Sequence, residues 1–217
     1  MTWPSELRRL PGYDVLAVDL PGHGRSSGTG FQSIPAYADS LIAWMDAIHC
    51  DTATVVGHSM GGAIAQYLAL RYKERVKHLV LVATGPVLNV NPQIFEMIEN
   101  DFEQMVEVVN GWMWGKNGDE LSKMMNAQQM LLTAPQVMYG DYFACDGFDM
   151  RDELHSITQP TVIIGGGQDK MTPFKLSKAL DEGIPNTTLV QLENAGHMIT
   201  LEHPKAIANI VQDWLSR

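Results

Sequence analysis

A serine, an aspartate and a histidine that could together supply and activate a nucleophile lie in separate glycine-containing stretches of the chain. Ser59 is the centre of a G-H-S-M-G stretch, Asp169 ends a G-G-G-Q-D stretch, and His197 follows an Ala-Gly pair. A serine hydroxyl attacks a carbonyl only after a base takes its proton, and the base is usually a histidine oriented by an acid. If folding brings the three side chains together, they can perform nucleophilic acyl transfer.

The stretch around Ser59 has the pattern of a sharp turn between a strand and a helix. The apolar pair Val55-Val56 precedes it, and small residues that allow close helix packing follow it. Such a turn holds its serine in a strained backbone conformation and projects the hydroxyl from the sheet. We expect side chains at the flanking positions, Gly57 and Gly61, to clash, which would explain both glycines. The pattern predicts that Ser59 is a nucleophile.

Asp169 and His197 each follow an apolar run, at residues 160–165 and 187–192. Loops after parallel strands meet at one edge of a sheet, so these side chains can reach Ser59 there. The spacing between Asp169 and His197 leaves room for one helix and one strand. We therefore predict that Asp169 is the orienting acid and His197 the base.

The remaining acids and histidines have other interpretations. Asp146 and Asp149 are alternative acids, but we expect them to face the mouth of the site rather than the far nitrogen of the histidine. His58 is expected to point into the structure, and His23 to brace the turn in a P-G-H-G stretch.

Alternating apolar strands and helices position these residues. The predicted strands are residues 13–19, 52–57, 77–83, 160–165 and 187–192, and the predicted helices are 33–49, 60–73, 173–181 and one opening at Pro204. Ser33 is expected to cap the first of these helices. Nearly continuous apolar strands separated by helices indicate an α/β fold with a mostly parallel, doubly wound sheet covered on both faces.

One region, residues 86–156, shows no strand-like run. It is predicted to be helical, and it holds eight of the 13 methionines, at positions 97, 105, 113, 124, 125, 130, 138 and 150. Methionine fills irregular gaps in small helical domains and also forms adaptable apolar walls over substrate cavities. We therefore expect a helical lid at residues 86–156, inserted into a core formed by residues 1–85 and 157–217.

Composition excludes several classes of protein. The 217 residues include 15 Lys and Arg against 25 Asp and Glu, a net charge of −10, which disfavours binding to nucleic acid. Two cysteines cannot staple a chain of this size, no run approaches the roughly 20 apolar residues of a membrane span, and the N-terminus lacks the apolar stretch of a signal peptide. We expect a cytoplasmic protein with no metal and no cofactor, and both a monomer and a homo-oligomer fit the sequence.

Taken together, these motifs resemble the α/β-hydrolase fold family, in its small lidded branch of esterases, lactonases and C–C hydrolases. The similar stretches are D-L-P-G-H-G-R-S at 19–26, G-H-S-M-G-G at 57–62, the turn ending at Asp169, and A-G-H at 195–197 with E-H-P at 202–204. The resemblance implies that Ser59 is the nucleophile, His197 the general base and then acid, and Asp169 its orienting acid. It also implies that the Met60 amide donates to the oxyanion.

The resemblance also implies strands ahead of residue 13, the third of which ends in a His-Gly loop that supplies a second oxyanion donor. No His-Gly-Gly precedes residue 13, so we expect an N-terminally shortened sequence with a gap beside the strand at 52–57. The expected activity is hydrolysis of small or medium apolar carboxylic esters through an acyl-enzyme. Thioester, lactone and C–C bond hydrolysis with the same residues are alternatives, as is a catalytically inert protein without its oxyanion loop.

Overall fold

The computed structural model of the chain describes residues 3–116 and 118–217. Their sheet has four strands in the order β1 (Ala53–His58), β2 (Val76–Val82), β3 (Thr161–Gly166) and β4 (Thr187–Leu192). Every neighbouring pair is parallel. In a parallel sheet all strands end at the same edge, so the loops that follow β1, β3 and β4 meet there.

Helices cover both faces of the sheet, and further helices form the segment of the chain between β2 and β3. They are α1 (Ser5–Arg8), α2 (Ile34–Ala47), α3 (Met60–Arg71), α4 (Pro92–Asn100), α5 (Phe102–Trp112), α6 (Glu120–Leu131), α7 (Pro135–Asp146), α8 (Phe174–Gly183), α9 (Ile199–Glu202) and α10 (Pro204–Leu215). Short 3-10 helices span Lys73–Arg75 and Leu154–Ser156. The predicted cap is confirmed, since the Ser33 side chain accepts from the N–H of Ala36 at 3.4 Å.

Two apolar clusters lie on opposite faces of the sheet. Helices α2, α3 and α8 pack on one face, and α1, α9 and α10 pack on the other. β3, one of the two inner strands, is buried along its whole length. The predicted α/β fold with a parallel sheet covered on both faces is therefore confirmed.

The region between β2 and β3 contains helices α4–α7, and in its described residues no strand belongs to the sheet. We call residues 86–156 the helical insertion. Its two ends lie together, because Val87 and Asp149 form an isolated antiparallel bridge and the Met150 N–H donates to Pro86 O at 2.8 Å. Its helices share a third apolar cluster, which Met171 of the core also contacts.

The strand predicted at residues 13–19 is wrong. Residues 14–20 have no regular secondary structure, and Leu16 is 60% exposed. The sheet order places β1 at an edge, and no strand in the described residues lies beside residues 14–20. A strand needs a hydrogen-bonded neighbour, so an apolar run without one does not become part of a sheet.

The described residues include no helix with both the length and the apolar character needed to cross a membrane.

Candidate active site

Ser59 lies at the junction of β1 and α3 in a backbone conformation that side chains rarely adopt. Its φ is 54° and its ψ −121°. The Ser59 N–H donates to Val82 O at 3.0 Å, and the Ser59 carbonyl accepts from Thr84 Oγ1 at 2.9 Å. A positive φ outside glycine costs on the order of 1–3 kcal/mol and persists where the surroundings enforce it. The bonds to β2 and its following loop supply that enforcement.

The glycines that flank Ser59 differ in the space around them. A Cβ on Gly57 would lie 2.2 Å from the carbonyl oxygen of Gly61, whereas a Cβ on Gly61 would meet nothing within 4 Å. The expectation of a clash is therefore met at Gly57 and is wrong at Gly61. The first turn of α3 passes directly over the end of β1, so its backbone crowds Gly57, whereas Gly61 faces open space.

This asymmetry gives a matched pair of variants. We expect Gly57→Ala to lower the free energy of unfolding by about 1–3 kcal/mol, because backbone atoms must move to admit the methyl group. Gly61→Ala should leave stability unchanged or raised by up to about 1 kcal/mol, because alanine is favoured in helices. Chemical denaturation of both variants measures the difference. Equal losses for the two variants would contradict the assigned crowding.

His197 lies on the loop after β4 and connects the other two predicted residues. The residue is 2% exposed. Its Nε2 lies 2.9 Å from Ser59 Oγ, and its Nδ1 lies 2.9 Å from Asp169 Oδ2. The structure thus brings Ser59, His197 and Asp169 into one hydrogen-bonded chain. The separations are those at which a proton can pass from a hydroxyl to an imidazole.

Asp169 is buried in the loop after β3 and is saturated with donors. Its Oδ1 accepts the N–H groups of Met171 and Thr172, each at 2.8 Å, and Oδ2 accepts Thr172 Oγ1 at 2.8 Å. Burial by itself raises the pKa of Asp169, but His197 and the donors of Thr172 outweigh it, and the net pKa is lowered. An ionised carboxylate accepts the Nδ1–H of His197, which leaves Nε2 able to accept the serine proton.

His58 also contacts His197, although sequence reasoning gave it no specific partner. Its Nε2 lies 2.8 Å from the carbonyl oxygen of His197, and the two rings are 4.9 Å apart. Burial, followed by the proximity of His197, lowers the pKa of His58 to about 4. A neutral His58 can donate its Nε2–H to the loop without adding a positive charge beside His197.

A second, partly buried network joins the loop after residue 19 to helix α7 of the insertion. Asp141 accepts from the Tyr37 hydroxyl and lies 2.7 Å from His23 Nε2, while His23 Nδ1 lies 3.1 Å from Pro21 O. Both ring nitrogens therefore face acceptors, an arrangement that suits the protonated ring. The predicted turn-bracing role of His23 agrees with the Pro21 contact, but nothing in the sequence pointed to a carboxylate 118 positions away.

This network predicts a pH-dependent contribution to stability. The hydrogen bond to Asp141 raises the pKa of His23 above its usual 6.5, against an opposing effect of burial. Because the folded pKa is raised, the stabilisation is complete below about pH 6.5 and is lost as pH rises through the folded pKa. We expect Asp141→Asn to cost about 2 kcal/mol at pH 6 and less at high pH.

Urea denaturation across pH 5–9 measures this effect. Asp146→Asn is the matched control, because Asp146 lies on the same helix, is exposed and accepts only the Val90 N–H in the bonds described. A constant difference between wild type and Asp141→Asn at every pH would contradict the charged His23–Asp141 pair.

The other predicted candidates have these positions. Asp146 and Asp149 are bonded within the insertion, to Val90 and Arg151, and neither is bonded to His197. Met60 is the first residue of α3, so its N–H lies at a helix N-terminus next to Ser59. Among the described residues, no group of three or more His, Cys, Asp or Glu side chains has an arrangement suited to a metal ion.

Thr172 and Glu202 are contributors that sequence reasoning missed. Thr172 Oγ1 donates to Asp169 and also lies 3.2 Å from His197 Nδ1. Glu202 accepts a backbone N–H from Gly196, the residue before His197. The only signal for Thr172 was its place three residues after Asp169, and Glu202 appeared only as part of a motif.

Comparison with known proteins finds esterases and a lactonase that are similar to this chain. A curated relative from Neisseria meningitidis serogroup B (strain H44/76), named pimeloyl-[acyl-carrier protein] methyl ester esterase, is 28% identical; the match covers 95% of this chain and 84% of the relative. A solved structure described as a thermophilic esterase is 31% identical, with a TM-score of 0.87 and coverage of 99% and 84%. The enol-lactonase from Burkholderia xenovorans LB400 shares the fold, with 22% identity and a TM-score of 0.86. That match covers 92% of this chain and 79% of the lactonase.

The model of the alpha/beta hydrolase family matches residues 1–210, which is nearly the whole chain. This chain therefore belongs to the alpha/beta hydrolase family of enzymes.

Proposed function

We propose that the protein is a serine hydrolase that cleaves small or medium apolar carboxylic esters, with Ser59, His197 and Asp169 as its catalytic residues. The observation that carries this proposal is the continuous chain of hydrogen bonds from Ser59 Oγ through His197 to a buried carboxylate. This series of hydrogen bonds begins at Ser59, in a strained turn that presents the hydroxyl. The esterases among the protein's relatives add independent support.

In the first half of the reaction, Ser59 Oγ forms a bond to the ester carbonyl carbon while its proton passes to His197 Nε2. The carbonyl oxygen becomes an oxyanion, and we assign its stabilisation to the N–H of Met60, the first residue of α3. The oxyanion then collapses, the bond to the alkoxy group breaks, and His197 returns the proton to the departing alcohol. An acyl group remains on Ser59.

In the second half, water replaces the alcohol. His197 Nε2 takes one proton from the attacking water, the new C–O bond forms at the acyl carbon, and the bond to Ser59 Oγ breaks as the proton returns to it. One ester and one water give one acid and one alcohol. Throughout, Asp169 stabilises the positive charge that develops on His197 without taking its proton.

The distribution of charge favours an uncharged ester. The helical insertion contains 12 of the 25 acidic residues but only three of the 15 Lys and Arg, so nearly all of the net charge of −10 resides there. The apolar cluster within the insertion contacts Met171, which lies two residues after Asp169. This contact supports a lid of residues 86–156 over the site. An anionic substrate approaching under such a lid is repelled. We therefore propose free neutral esters rather than esters carried on a strongly anionic carrier.

The test combines covalent labelling with a substrate series. We expect a fluorophosphonate to modify Ser59 in the wild-type protein and not in Ser59→Ala. Among esters of one acyl chain, a neutral methyl ester should exceed its carboxylate-bearing counterpart in kcat/KM by at least about tenfold at low salt. That gap should narrow as salt shortens the screening distance from about 30 Å at 0.01 M to about 3 Å at 1 M.

The outcomes separate the candidate functions. Higher kcat/KM for acyl thioesters, lactones or vinylogous ketoacids would favour the corresponding hydrolase with the same residues. Absence of labelling in the folded protein would favour an inert member of the family. Preference for an acyl-carrier-protein methyl ester, the substrate for which the Neisseria meningitidis relative is named, would overturn the neutral-substrate proposal. Cytoplasmic location and homo-oligomerisation stay predictions.

A further inference from the structure

Residues 113–116, which we call the connector, fasten the helical insertion to both loops of the candidate site. One bond joins the connector to the residue after His197, and another joins it to the residue before Asp169. These bonds run from Met198 N–H to Met113 O at 3.0 Å and from Lys116 N–H to Gln168 Oε1 at 2.8 Å. The insertion and the two loops therefore form one hydrogen-bonded unit at this point.

Glu202 lies at the centre of this unit and binds both sides of it. Its Oε1 accepts the N–H of Gly196 at 3.0 Å, and its Oε2 accepts the N–H of Gly115 at 3.1 Å. Gly196 immediately precedes His197, and Gly115 belongs to the connector. One carboxylate thus uses each of its oxygens for a different segment of the chain.

The two backbones approach so closely that neither position admits a side chain. A Cβ on Gly115 would lie 2.7 Å from the Gly196 nitrogen, and a Cβ on Gly196 would lie 2.2 Å from the Gly115 nitrogen. This close approach brings both N–H groups to one carboxylate. The carboxylate of Glu202, which is partly buried, accepts one of these N–H groups with each of its two oxygens.

We propose that Glu202 is a positioning residue that fixes His197 against Ser59 and couples that position to the helical insertion. It touches neither the nucleophile nor the reacting atoms, and it acts through the backbone of Gly196. The inference rests on the proposed function, because its readout is the rate of the reaction assigned to Ser59. A displacement of about 1 Å at a reacting group can cost about 10²-fold in rate.

Glu202→Gln tests the proposal with little change in size. The amide group places an NH₂ donor where one oxygen accepted, so one backbone N–H loses its acceptor and faces another donor. We expect kcat for a neutral ester to fall about 10- to 100-fold. In the same variant, the downfield proton NMR signal of the His197 Nδ1–H should weaken or shift.

Glu193→Gln is the matched control, because it removes the same charge from an exposed residue near His197 and should retain wild-type kcat. A folded Glu202→Gln with wild-type kcat and an unchanged His197 signal would overturn the proposal. Wild-type protein without ester turnover or labelling would instead refute the proposed function itself.

Hydrogen exchange on the wild-type protein keeps the proposal falsifiable if Glu202→Gln does not fold. One carboxylate holding both N–H groups should give Gly115 and Gly196 similar, strong protection from exchange. Exchange of either amide at the rate of an unprotected peptide would show that the carboxylate does not hold the two segments together.

Discussion

Replacement of Ser59 by alanine is expected to lower kcat for a neutral ester by about 10⁶-fold, to the level left by binding and oxyanion stabilisation alone. His197→Ala should cost a similar factor, since the hydroxyl loses the base 2.9 Å away that accepts its proton. The double variant should be no slower than either single variant, because the two side chains perform one proton transfer together. Steady-state kinetics of the three variants with a nitrophenyl ester measures this.

The control for these variants is stability, compared by thermal unfolding. The Ser59 side chain makes one described bond, so its removal should leave the melting temperature close to that of the wild type. Multiplicative losses in the double variant would show that Ser59 and His197 act independently. That outcome would contradict the nucleophile-and-base assignment even if each single variant were slow.

Asp169→Asn is expected to lower kcat by about 10⁴-fold with little change in KM. The N–H groups of Met171 and Thr172 both point at Oδ1, so the asparagine must place its carbonyl oxygen there and its NH₂ toward His197. His197 Nδ1 then becomes an acceptor and carries its proton on Nε2 instead. In that tautomer the ring donates to Ser59 Oγ and cannot take its proton.

Asp181→Asn serves as the control for loss of a carboxylate hydrogen-bonded to a threonine hydroxyl, since Asp181 accepts from Thr187 at the far end of β4. We expect it to retain full activity. A loss of less than about tenfold in Asp169→Asn would show that His197 does not depend on Asp169 for its tautomer.

Much of the fold followed from local patterns. The strand at Thr187–Leu192 has the predicted ends, and the other three strands of the sheet are displaced from prediction by one residue. A buried parallel strand is a continuous apolar run ended by a turn, so residues adjacent in the sequence are enough to predict where it begins and ends. The turn at Ser59 was recognisable for the same reason, because a strand, a glycine, a serine and small helix residues are adjacent.

The error at residues 13–19 has the opposite origin. An apolar run is a strand only where another strand accepts its hydrogen bonds, and that condition concerns neighbours in space. The contacts of Asp141 and Glu202 were hidden likewise, since their partners lie 118 and 87 positions away. At Gly61 the motif was recognised correctly, but the predicted clash was wrong. Crowding in a turn depends on which backbone segment passes over which, and the sequence does not show this.

The position of β1 at the margin of the sheet bears on how the protein must be stored and assayed. A strand with no neighbour on one side among the described residues offers a template to other chains, and the nearby segment that includes the exposed Leu16 adds apolar surface. Each copy has a net charge of −10, so copies repel one another. This repulsion counters such association, and concentrated salt weakens the repulsion. We therefore expect association between copies to be weakest in dilute samples at low salt.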